Sequence, residues 1–159
     1  MEPTQAIIRP VTPADFPTLA AMRWDFMLED PPAWAEPALE QPDFAAHFVA
    51  FLERVFSSGN WAAWAAELDG ALLAHLFVQR IERVPFPFHL TPGFGYVTNV
   101  YTRPAHRNRG LGTRLLEHAQ EWAQAAGLDY LMLHPSVRSI PLYARCGYEA
   151  SSEFMILKL

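Results

Sequence analysis

One cysteine, Cys146, in 159 residues leaves no partner for an internal disulfide and no thiolate set for a zinc site. A reducing compartment fits that usage. Basic residues are outnumbered, 12 Lys and Arg against 17 Asp and Glu, and the net charge of −5 excludes general nucleic-acid binding as the main role. No apolar run is long enough to span a bilayer, because residues 61–78 are interrupted by Glu67, Asp69, Gly70 and His75. The opening MEPTQ is acidic and lacks the basic and apolar regions of a secretion signal. The histidines follow no metal-ligand spacing, and no repeat or low-complexity tract divides the chain. What is present is a 51% hydrophobic sequence that can bury a core. We therefore expect one cytoplasmic domain over residues 1–159, without a metal and with no nucleic-acid or membrane partner. A homodimer is compatible with this composition.

The pattern along the chain predicts a mixed α/β fold in the order β-α-α-β-β-β-α-β-α-β. Residues 6–9 read as a short strand. Thr12, Pro13 and Asp15 form a helix start, and Phe16, Leu19, Ala20, Met22 and Phe26 continue it with an apolar face. Asp30-Pro31-Pro32 ends that helix, a proline-marked loop covers 31–42, and a second helix spans 43–58. Two apolar strands, 61–68 and 71–84, meet at Asp69-Gly70, a hairpin signal. A strand follows at 95–103, then a basic loop and a helix over 111–126. A short strand at 129–134, a helix at 139–145 and a strand at 148–159 complete the order.

Charge is unevenly spread. Arg103, Arg107, Arg109 and Arg114 crowd residues 103–114 with His106 among them, whereas 25–43 carries Asp25, Glu29, Asp30, Glu36, Glu40 and Asp43 and no Lys or Arg. The basic cluster sits where a strand feeds a loop and the loop feeds a helix, with glycines at Gly110 and Gly112. A helix N-terminus has unpaired N–H groups and partial positive charge, and glycine lets a ligand approach that backbone. The turn suits a phosphate. It lacks the Gly-Lys-Ser/Thr of a Walker A loop, and Leu115 stands where a dinucleotide fingerprint needs its third glycine. A small phosphate-ligand binder and an enzyme using a phosphate-bearing carrier both fit these residues.

Arg107-x-x-Gly110-x-Gly112 after a strand and before a long helix resembles the acetyl-CoA signature of the GNAT N-acetyltransferase superfamily. Ser136, Leu142, Tyr143, Gly147 and Tyr148 follow the family's downstream Asn…Leu-Tyr…Gly-Phe pattern, with Ser in place of Asn and Tyr in place of Phe. The likeness is dense over 97–148 and upstream is confined to element order. It implies that backbone groups of Val100 and Thr102 pair with the pantetheine arm of acetyl-CoA, and that an N–H near Val100 or Tyr101 faces the thioester carbonyl. It implies that Arg107 and the N–H groups of Asn108, Arg109, Gly110, Leu111, Gly112 and Thr113 cradle the pyrophosphate, with Ser136 a further cofactor contact. Tyr143 would act as general acid toward the departing sulfur. A tyrosine near pKa 10 donating to a thiolate near 8.5 works uphill by about 2 kcal/mol before the site tunes either group. The reaction so implied is direct acetyl transfer to a primary amine on a small molecule or peptide. Asp25, Glu29 and His134, or a water chain, are the candidates for its base. Cys146, with no histidine close in sequence, is a poor nucleophile. Trp24, Asp25 and Glu29, with Phe26 and Trp34 interleaved, would suit a cationic acceptor with an apolar body. The alternative on the same residues is a catalytically weak CoA-binding sensor.

Overall fold

The computed structural model describes residues 5–29, 31 and 43–158. Asp30 and the 32–42 stretch, with Trp34, Glu36 and Glu40, lie outside the described residues. Five strands form one sheet in the order β1-β2-β3-β4-β5: β1 Ile7–Pro10, β2 Trp61–Leu68, β3 Ala71–Glu82, β4 Gly93–Thr102 and β5 Leu131–Met132. The first four pair antiparallel, and β5 lies parallel to β4. The helices are α1 Phe16–Glu29, α2 Phe44–Ser57, α3 Leu111–Ala125 and α4 Ile140–Arg145.

Alternation along the strands sends successive side chains to opposite faces, so each face can bury its own set. Trp64, Ala66, Leu76, Val78 and Val97 meet Leu111, Leu115, Leu116 and Ala119 of α3 on one side. Ala63, Ala65, Phe77 and Tyr101 meet Phe16, Leu19 and Met22 of α1 and Leu52 of α2 on the other. Asp69 and Gly70 both take positive φ, 50° and 80°, which is the backbone a two-residue hairpin requires. Ahead of α1 the chain makes a 3-10 turn at Pro13–Asp15, where the Asp15 carboxylate accepts the Thr12 N–H at 2.8 Å and two Arg9 donors at 2.8 Å.

Two features shape the middle of the sheet. The β3–β4 register passes from His75↔Tyr101 to Phe77↔Thr98, so β4 carries one extra residue there, and Asn99 holds φ 50°. Beyond this bulge, Val100 and Tyr101 face opposite sides from those that unbroken alternation would assign. In addition, β5 pairs with β4 only at Gly95↔Leu131 and Tyr96↔Met132. The two strands then part, leaving that edge of β4 without a ladder over its last residues.

The sequence expectation differs from the structure at the C-terminal end. The strand expected over 148–159 does not form: residues 148–158 carry no strand, and Phe154, Met155, Ile156 and Leu157 are exposed. Strand-favouring side chains make a strand only against a neighbour, and no ladder reaches this segment. The strand expected over 129–134 shrinks to two residues, because its pairing with β4 ends at Tyr96↔Met132, although Asp129 N–H still donates to the Gly93 carbonyl at 2.8 Å.

Candidate active site

A cavity of about 710 Å³ opens between the free edge of β4, the start of α3 and one side of α4. Val100, Tyr101 and Thr102 line it from the sheet, Arg107, Asn108, Gly110, Leu111, Gly112 and Thr113 from the loop and helix start, and Tyr143 from α4. Of the expected site residues, these ten come together. Arg109 is exposed and Ser136 also stands off the lining. The Ser136 hydroxyl donates to Ser139 at 3.1 Å, and Ser139 donates to the Ser136 carbonyl at 2.9 Å.

The helix start leaves several backbone donors unpaired. Gly110 takes φ 77° as the residue before α3, and no side chain caps that end. The first helical bond is Arg114 N–H to the Gly110 carbonyl at 3.1 Å. The N–H groups of Leu111, Gly112 and Thr113 therefore have no acceptor within the helix. A Cβ on Gly112 would lie 3.2 Å from Leu142 Cδ2, so α4 closes onto the helix start where only a hydrogen projects. Arg107 donates through Nε to the Thr102 carbonyl at 3.0 Å and pairs with Glu29. Its guanidinium also lies 5.8 Å from the Tyr101 ring centre. Arg138 and Arg145, which were not expected in the site, join the lining together with His106. Their signal was positional: both flank the short α4, one at each end. A cavity with three arginines and an uncapped helix N-terminus fits a phosphate-bearing group.

Tyr143 is buried, and burial pushes its hydroxyl pKa up while a hydrogen bond with Ser139 pulls it back. It thus remains a proton donor at neutral pH. Tyr101 donates to the Glu29 carboxylate at 2.7 Å, and burial followed by that bond pushes it up to about 12. Burial acts to raise Glu29, but hydrogen bonds from Arg107 and Tyr101 and the charges of Arg107 and Arg138 outweigh it and hold the carboxyl below its ordinary value.

On the acceptor side the expected residues are dispersed. Asp25 lies 3.6 Å from Arg103, and Glu29 belongs to Arg107, so both carboxylates are engaged. Trp24 packs against Phe44, with ring centres 5.5 Å apart, and is not a cavity residue. His134 accepts or donates through Nδ1 with the Tyr96 hydroxyl at 3.3 Å, beyond the parting of β4 and β5. Among the described residues, no cluster of His, Cys, Asp and Glu could hold a metal ion, and no helix is long and apolar enough to cross a membrane.

A sheet forked beside an uncapped, arginine-flanked helix start marks the fold of acyl-group transferases. The chain belongs to the acetyltransferase (GNAT) family, whose model matches residues 19–148. It is similar in fold to a predicted acetyltransferase from Clostridium acetobutylicum solved with acetyl-CoA, at TM-score 0.81 and 22% identity over 96% of each chain. It also resembles a GCN5-related N-acetyltransferase from Ralstonia eutropha JMP134, at TM-score 0.73 and 27% identity over 96% of this chain and 98% of that one. An IAA acetyltransferase of Azospirillum brasilense is 35% identical over 65 residues, which is 39% of this chain and 42% of the relative.

Proposed function

We propose that this protein transfers an acetyl group from acetyl-CoA to a primary amine of a small molecule or peptide, by direct attack and without a covalent enzyme intermediate. The observation that carries this reading is a cavity that joins the unpaired edge of β4 to the uncapped start of α3. One end offers backbone groups at Val100–Thr102 to an extended arm, as an added strand would use them. The other offers three helix N–H groups and Arg107 to a pyrophosphate. When bound, the thioester supplies the activated acyl carbon. The chain's own part is to bind the carrier, to turn a β4 N–H toward the carbonyl oxygen, and to hold the Tyr143 proton for the sulfur that leaves. Cys146 is a free, partly buried thiol at the end of α4.

The same residues would serve a CoA-binding sensor, and the arginine pairing of Asp25 and Glu29 favours that second reading, since neither is a free base. A thermal-shift titration with acetyl-CoA, followed by thiol release across a panel of amines, separates the readings. At 100-fold excess over Kd, acetyl-CoA should add about 2.7 kcal/mol of stability. Stabilisation with turnover supports the enzyme, and stabilisation without turnover on any amine supports the sensor. No stabilisation at millimolar acetyl-CoA overturns both.

A further inference from the structure

Arg23 lies on the face of α1 that meets β4, on the acceptor side of the sheet, and it is half-buried. Its neighbours Arg103 and Arg107 are each matched by a carboxylate, from Asp25 and Glu29. Arg23 has none among the described residues. Its contacts are the Asn99 side-chain oxygen, 3.3 Å from one guanidinium nitrogen, and the Phe26 ring, 5.4 Å from its carbon centre. A guanidinium removed from water and met by one long neutral contact is poorly compensated.

Among the described residues, the surroundings add donors and no anion. The amide nitrogen of Asn99 is buried without a partner, and the main-chain carbonyl of the same residue is already taken by His75 Nδ1–H at 2.8 Å. Asn99 is held at φ 50° in the β4 bulge, which turns its side chain toward α1 instead of into a ladder. Arg23 and Asn99 thus hold surplus N–H groups side by side just behind the cavity lining, and a guanidinium presents the planar fork that matches a carboxylate. That point is one residue from Val100. Phe26 stacks on Tyr101 with ring centres 5.2 Å apart, and both line the cavity.

Building on the acetyltransferase reading, we propose that Arg23, supported by Asn99, anchors the carboxylate of the acceptor, which is an amino acid or another amine carrying a carboxylate close to its nitrogen. The acceptor's ammonium first loses a proton to solvent. The N–C bond then forms as the C–S bond breaks, the nitrogen releases its second proton to water, and the thiolate takes a proton from Tyr143, which recovers one from water. The products are an N-acetylated acid and the free thiol, and the carboxylate stays unchanged on Arg23 throughout.

The test compares L-amino acids with their carboxamides and their decarboxylated amines, using acetyl-CoA and thiol release. The two comparators bracket the acid's amine in basicity, so a preference over both reports the carboxylate. Wild type should favour the acid in kcat/KM by about 10- to 100-fold, the range for a charge-assisted pair. Arg23→Met should erase that preference while leaving the carboxylate-free amines within about threefold and acetyl-CoA affinity unchanged; Arg23→Lys should keep part of it. No preference in wild type, a preference that survives Arg23→Met, or an equal loss for acids and amides overturns the proposal. If no amine turns over, calorimetric titration of N-acetyl amino acids into the protein, with and without CoA, still decides. Binding that Arg23→Met removes, and that the matching N-acetyl carboxamides do not show, supports the anchor. No binding to wild type refutes it, whatever acetyl-CoA itself does.

Discussion

Tyr143 and His75 are both buried ionisable groups, and burial sends them in opposite useful directions. Burial of the Tyr143 hydroxyl favours its neutral form, so it carries its proton across the neutral range. Tyr143→Phe removes the donor and keeps the ring. If the hydroxyl meets the sulfur only as charge develops, kcat should fall about 10²-fold while acetyl-CoA affinity and melting temperature hold. Parallel loss of all three would mean the hydroxyl only supports the pocket. His75 is fully buried, and burial, opposed by the Asn99 carbonyl and reinforced by Arg23 and Arg103, pushes its pKa down to about 4. The unfolded chain binds this proton below about 6.5, whereas the folded chain resists it until about 4. Stability from this residue is therefore complete above 6.5 and falls with pH toward 4, by about 3 kcal/mol. Melting temperature should drop across that window in wild type, and the slope should flatten in His75→Gln. An unchanged slope in the variant would remove His75 as its source.

Elements differ in how openly the sequence declares them. The Asp69-Gly70 hairpin and α3 were legible because each depends on local chemistry: a turn that needs positive φ, and an apolar stripe at helical spacing. That Arg107, Gly110 and Gly112 stand together was legible for the same reason, since the three lie within six residues of chain and line one cavity. The bulge at Asn99 was not, because a bulge is a property of two strands in register and β4 alone does not reveal it. The contact of Arg23 with Asn99 was not legible for a related reason: its two partners lie 76 positions apart. Gly95 is a further case. A Cβ there would lie 2.4 Å from Leu131 Cδ2 and 2.9 Å from Val78 Cγ1, so the residue keeps β5 close to β4. Gly95→Ala should cost about 1–3 kcal/mol in denaturant unfolding, and stability equal to wild type would show that β5 can shift without loss. At the start of α3, Gly112→Glu should abolish acetyl-CoA binding, because a carboxylate enters the phosphate cradle. Gly112→Ala presses Leu142 equally and adds no charge, so it should retain binding. Calorimetry on both variants separates charge from packing, and wild-type affinity in the glutamate variant sinks the cradle.

For the whole molecule, the Glu29–Arg107 pair matters because it spans the two faces of the sheet. It joins the end of α1 to the loop that feeds α3, and its carboxylate also accepts the Tyr101 hydroxyl. Arg107 is thus shared between an internal anion and the one expected in the cavity. Partly exposed pairs of this kind contribute about 1 kcal/mol or less. Glu29→Gln should therefore tighten acetyl-CoA binding a few-fold at low salt, with the gain shrinking as salt screens the cavity. Weaker binding in that variant would mean that Glu29 positions Arg107 for the ligand and does not compete with it.

The parting of β4 from β5 also sets a clock. Amides at the centre of a sheet ordinarily exchange their hydrogens with solvent only when the sheet itself opens. In β4 the amides that face the gap after Tyr96 lie deep in the fold yet have no strand beside them. They should trade hydrogen for deuterium as quickly as loop amides, while those facing β3 on the same strand stay slow. A molecule lying along the gap, in the place that β5 leaves beside β4, would slow them without moving any helix, so the time course of deuterium uptake at 98–102 reports occupancy directly.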